Sequence, residues 1–142
     1  MPTRTAEAQW DGLLKDGSGT MRFGSGVFEG AYTFDSRFVD EGGATNPEEL
    51  IAAAAAGCFS MALSADLGNA GHDVRRVHTT AEVHLEKTGG GFSITGIDLR
   101  TEAEVPGLGD DAFQEVADGT RRNCPVARLL TGAPIRLDAK LL

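Results

Sequence analysis

A chain of 142 residues and 14.9 kDa fits one domain, residues 1–142, able to bury about two thirds of its unfolded surface without crosslinks. Its 21 acidic against 13 basic residues leave a net charge of -8, the wrong sign for a surface that tracks phosphates, and so argue against nucleic-acid binding. Two cysteines, and an opening Met1-Pro2-Thr3-Arg4-Thr5-Ala6-Glu7 without the apolar segment of a secretory signal, lead us to expect a cytoplasmic protein in which a lasting structural disulfide is disfavoured.

The first forty residues are punctuated by glycine and predict three short strands, Thr5–Trp10, Gly19–Phe23 and Ala31–Val39. A helix start follows, with Asn46 able to cap, Pro47 at the first helical position, and Glu48 and Glu49 complementing the positive end of the dipole. The helix is expected to run to about Asn69 and to stop at Gly71. Its uncharged run from Leu50 to Ala65 is shorter than the roughly 20 residues that span a bilayer and is mostly alanine, so no membrane association is expected. A helix apolar almost all round needs covering on most sides, and a single small domain has little to cover it with. A second copy of the chain would do so, which predicts a homodimer.

Val77, Thr79, Ala81, Val83 and Leu85 alternate with polar neighbours, the mark of a half-buried strand. In the next strand Phe92 and Ile94 have one parity and Ile97, Leu99, Thr101, Ala103 and Val105 the other, so a β-bulge is expected near Gly96. Asp110–Asn123 and Pro125–Leu130 read as helices, and Ile135, Leu137, Ala139 and Leu141 as a last strand. The class is α+β.

The two cysteines carry the chemistry. Cys58 lies in the apolar helix and looks sheltered, which pushes a thiol toward its protonated form. It is about three turns from the helix start, beyond the reach of the dipole, so a cation from elsewhere must hold its thiolate. Arg37, flanked by aromatics in Phe34-Asp35-Ser36-Arg37-Phe38, is a candidate on a strand or loop. Cys124 precedes Pro125 at a helix start, looks hinged, and on local electrostatics is the more acidic thiol. No metal is expected: His78 and His84 lie about 20 Å apart along one strand, His72 sits at a helix end, and no ligand spacing recurs. Ser60 and Ser64 lack the setting of a hydrolase nucleophile, and Gly24-Ser25-Gly26 and Gly89-Gly90-Gly91 lack the lysine and helix of a phosphate loop.

The segments Thr45-Asn46-Pro47-Glu48-Glu49-Leu50, Cys58-Phe59-Ser60-Met61-Ala62-Leu63 and Cys124-Pro125-Val126, with Tyr32-Thr33-Phe34-Asp35-Ser36-Arg37-Phe38 and Val105-Pro106-Gly107, resemble the OsmC and organic hydroperoxide resistance family, on its OsmC side. The resemblance spans essentially the whole chain. It implies an intertwined homodimer with two central helices wrapped by antiparallel sheets, and a stress-response peroxidase that reduces organic hydroperoxides without a cofactor. By position Cys58 resembles the peroxidatic cysteine, Cys124 the resolving cysteine of a redox-active disulfide, Arg37 the thiolate-stabilising arginine and Glu48 its orienting carboxylate, with Glu49 the neighbouring alternative. A dithiol such as dihydrolipoamide is the reductant the family suggests. Phe34, Phe38, Phe59 and Met61 could wall an apolar pocket favouring bulky hydroperoxides. One departure is Ala52–Gly57, where the OsmC side often carries a histidine. A rival of different class is a lipid or small-molecule binding module with passive cysteines; a thiol–disulfide exchange protein would carry the C-x-x-C that is absent here.

Overall fold

Short alternating runs between glycines fold the first part of the chain into a meander. The computed structural model describes residues 1–39, 41 and 43–142, and the chain divides into two compact units, residues 1–50 and 51–142. In the first unit β1 (Ala6–Asp11), β2 (Ser18–Phe23) and β3 (Glu29–Tyr32) form an antiparallel sheet in that order. Gly19 makes the sheet possible where Trp10 and Tyr32 meet, their ring centroids 5.2 Å apart, because a Cβ there would lie 2.5 Å from the Tyr32 ring.

The expected third strand, Ala31–Val39, is corrected. Pairing ends at Tyr32, and Phe34–Phe38 form a short helix, α1. The physical reason is a capping box: Thr33 Oγ1 accepts from the Ser36 amide at 3.1 Å while Ser36 Oγ accepts from the Thr33 amide at 2.9 Å, so two orphan donors are satisfied locally. Phe34 and Phe38, four apart, then stack on one helical face with centroids 5.0 Å apart.

Helix α2 (Pro47–Asn69) begins in the first unit and continues through the second. Asn46 Oδ1 caps it by accepting from the Glu49 amide at 2.8 Å. Its end is a Schellman turn: the His72 amide donates to Leu67 O, the Gly71 amide to Gly68 O, and Gly71 takes φ +89°, open to glycine at little cost. At 23 residues α2 is long and apolar enough to cross a bilayer by length and composition, longer than the uncharged run alone suggested. It is covered on one side only, where Ala55, Phe59, Leu63 and Leu67 recur every fourth residue and are buried. The other side, Ala54, Gly57, Met61, Ala65 and Gly68, is exposed.

The second sheet has the order β4-β5-β6, from β4 (Arg76–Thr88), β5 (Gly91–Glu104) and β6 (Ile135–Leu141); the expectation of antiparallel sheets is corrected here, because β4 and β5 are antiparallel but β6, reached through α3 and α4, returns parallel to β5. The bulge falls where the change of parity places it: His84 faces Gly96, Leu85 faces Ile94, and Thr95 is left over. Helices α3 (Asp110–Asn123) and α4 (Pro125–Leu129) match their predicted positions closely. Phe113 and Ala117 of α3 join Ile97, Leu99 and Ala103 of β5 and the buried stripe of α2 in one core.

Candidate active site

The capping box that makes α1 also aims Arg37. Ser36 Oγ donates to Thr45 O at 2.8 Å and Asn46 Nδ2 donates to Ser36 O at 3.0 Å, which clamps α1 to the start of α2. Across that clamp Arg37 donates from Nη2 to Glu48 Oε1 at 2.9 Å and from Nε to both carboxylate oxygens at 3.2 and 3.3 Å. The Glu48 side chain is 9% exposed and that of Arg37 37%, so a nearly buried carboxylate holds a partly open guanidinium in a planar fork. Glu49, the neighbouring alternative, turns to the other side and accepts from Thr45 Oγ1 at 2.7 Å. Arg37 also lies over the Phe38 ring, 5.1 Å from its centroid. A groove of about 450 Å³ opens here, walled by Trp10, Leu13, Leu14, Tyr32, Phe34 and Phe38, with Arg37 as its charged member.

Of the four aromatic and sulfur residues expected to wall a pocket, Phe34 and Phe38 therefore do so. Phe59 is 0% exposed and belongs to the core, because it falls on the docked stripe of α2; Met61, two residues on, stands 78% exposed on the opposite face. The four-residue repeat carried this information, but only knowledge of which face meets the sheet could convert it into a position. Tyr32, five residues before Arg37, and Trp10, Leu13 and Leu14, brought to it by the meander, complete the wall without any local sequence signal that marks them.

The cysteines reverse their expected characters. Cys58 is half-buried and flanks the open side of α2, whereas Cys124 is buried, 3% exposed. Cys124 ends α3 and begins α4: its amide donates to Thr120 O at 2.9 Å and its Sγ accepts from the Ala127 amide at 3.4 Å, with Pro125 next. The cap position is as predicted, but its effect on acidity is overturned. Burial pushes the Cys124 thiol above its ordinary 9.0; the Ala127 amide pulls the other way, Cys58 adds to the rise through side-chain hydrogen bonding and charge, and the Val126 amide again lowers it. Desolvation is the largest of these influences, in keeping with a thiol left only 3% exposed. Cys58, far away in the chain, thus lies within electrostatic reach of Cys124.

A third cluster lies on the outer side of the second sheet. His84 Nε2 is 2.7 Å from Asp98 Oδ2, Arg136 pairs with the other oxygen of Asp98, and Arg100 donates to Glu82 at 2.7 Å. The ligand atoms of Glu82, His84 and Asp98 lie within 4.8 Å of one another, a spacing that could suit a cation, although the two arginines already occupy both carboxylates. Sequence spacing tested His84 only against His78 on its own strand; the pairing of Glu82 with Asp98 across β4 and β5 is what gathers this group.

Residues 40–140 match a family described as OsmC-like protein. Over 139 residues, 97% of this chain and 96% of the relative, the sequence is 45% identical to peroxiredoxin OsmC of Escherichia coli strain K12 and, by the same measures, to peroxiredoxin OsmC of Shigella flexneri. The crystal structure of an organic hydroperoxide resistance protein OsmC from Legionella pneumophila matches with a TM-score of 0.72 at 25% identity, covering 96% of both chains. An OsmC-like protein from Mycoplasma pneumoniae shares the fold, with a TM-score of 0.76 at 16% identity over 99% of this chain and 98% of that one.

Proposed function

This chain belongs to the OsmC-like family, and from that premise we propose a thiol peroxidase cycle for it, running on organic hydroperoxides through Cys58 and Cys124. The observation that carries the reading is 45% identity to a peroxiredoxin over 97% of the chain, and the influence of Cys58 on the Cys124 thiol supports it. Passive cysteines in a lipid-binding module would need no such neighbourhood.

The Cys58 thiolate attacks the outer peroxide oxygen, the O–O bond breaks, and after proton uptake an alcohol departs while Cys58 becomes a sulfenic acid. Cys124 then attacks that sulfur, forming the disulfide and releasing water, and a dithiol returns both cysteines to thiols. Arg37 is the cation assigned to the thiolate, and the fork with Glu48 supports this role because it fixes the guanidinium plane. The apolar groove beside Arg37 suits a bulky organic chain more than hydrogen peroxide.

Our reading includes a homodimer in the cytoplasm. The support is the open face of α2, whose Ala54, Gly57, Ala65 and Gly68 are small enough for a second helix to approach closely around Met61.

The decisive experiment titrates free thiols while adding cumene hydroperoxide. One equivalent should consume two thiols in the unaltered protein; Cys58→Ser should abolish turnover, and Cys124→Ser should leave a sulfenic acid that dimedone traps. Full peroxidase activity in Cys58→Ser would sink the assignment.

A further inference from the structure

Helix α2 carries Cys58 on a rod of alanine, glycine and a four-residue apolar stripe, which fixes its docked face by packing without directional bonds, so that an axial slide is opposed by shape alone. Disulfide formation is sensitive to that slide, because the two Cα atoms must come within about 7 Å with the sulfurs aligned. Two directional bonds from the second-unit part of α2 oppose it. Ser60 Oγ donates to Thr79 Oγ1 of β4 at 2.8 Å, and Asp66 accepts from Thr120 Oγ1 of α3 at 2.5 Å.

The second bond is placed to matter for Cys124. Thr120 is 1% exposed, and its carbonyl accepts the Cys124 amide at 2.9 Å, so whatever holds Thr120 holds the start of the resolving cysteine. On its other side α3 is tied to β6, where Gln114 donates to Ala139 O and Arg121 to Ile135 O. Asp66, itself exposed, is thus the point at which the helix bearing Cys58 grips the helix that ends in Cys124.

The geometry points to Asp66 and Thr120 as positioning residues for the resolving step: their hydrogen bond sets the register between the two cysteine-bearing helices and so the rate at which the Cys58 sulfenic acid is captured by Cys124. This rests on the peroxidase reading for its natural oxidant. In that step the Cys124 sulfur forms a bond to the Cys58 sulfur, the S–O bond of the sulfenic acid breaks, and the oxygen leaves as water with the thiol proton.

The test uses full-length Thr120→Val, Asp66→Ala and Thr120→Ser in rapid mixing with cumene hydroperoxide, followed by dimedone competition. Thr120→Val and Asp66→Ala should form sulfenic acid at the unaltered rate and close the disulfide on the order of tenfold more slowly, the scale of a small misalignment. Thr120→Ser should restore closure. Asp66→Ala, at an exposed helical site suited to alanine, keeps the test valid should Thr120→Val fold poorly. Unchanged closure in Asp66→Ala, or no rescue by serine, would overturn the proposal. A parallel arm oxidises the dithiol with diamide, whose N=N bond takes up the two electrons and two protons as the disulfide forms. Slow closure there in the variants sustains the register role even if the unaltered protein ignores hydroperoxide, the result that would sink the peroxidase reading alone.

Discussion

Of the carboxylates that arginines hold in this molecule, two have surroundings that could hardly differ more. Glu48, in the first unit, is nearly buried and meets Arg37 through a fork of hydrogen bonds; Asp98, in the second, lies on the outer side of a sheet among Arg136 and His84, with a side chain 26% exposed. Water shares the second arrangement and screens it, so its contribution to stability is small. Where the carboxylate is shut away and the guanidinium remains partly open, the pair aims positive charge outward. Shelter on one side of an ion pair, more than the pair itself, distinguishes a candidate site from a solvated surface.

Three experiments can break or sharpen that contrast. Glu48→Ala should give the largest effect, on the order of a hundredfold loss in the rate of Cys58 oxidation by cumene hydroperoxide, because the guanidinium loses the group that orients it. Arg37→Lys should cost about tenfold in the same stopped-flow assay, since an ammonium retains the charge but not the planar fork. Equal rates in both variants and the unaltered protein would mean that the sheltered pair is structural. The smallest effect is expected at Asp98, where Asp98→Asn should leave peroxide turnover within about twofold, in keeping with an exposed pair.

The pH behaviour of Asp98 refines the same comparison. Hydrogen bonds from Arg136 and His84 hold its carboxyl at about 2 against an ordinary 3.8. A depressed carboxylate pKa means the unfolded chain binds the proton first, so the stabilising contribution is complete above about 3.8 and fades as pH falls through about 2. Carbon-detected NMR titration should therefore find Asp98 ionised at pH 3 and, in Arg136→Ala, shifted upward toward 3.8. An unshifted titration in that variant would show that Arg136 is not the main cause.

The parts of the fold that sequence made legible are those whose signals are local. Asn46, Pro47 and the paired glutamates announce the start of α2, Gly71 its end, and the change of parity near Gly96 the bulge of β5, since each depends on a backbone conformation set within a few residues. The segment Phe34–Phe38 was legible in principle too, since the Thr33–Ser36 capping box that makes it a helix rather than the end of a strand is a local signal. Phe59 and Met61 were recognised as apolar without a sign of which would be sealed and which left open.

By itself, then, the sequence determined the order of elements from α2 onward, the family and the identity of the four residues on which the chemistry is proposed to rest, because caps, periodicity and motif spacing are written in short stretches of chain. Tertiary structure alone decided that Glu48 and not Glu49 takes Arg37, that Cys124 is the deeper thiol with burial overriding its helix cap, and that Asp66 meets Thr120. Each of these depends on desolvation or on a contact between distant segments, and both arise only when the chain closes on itself.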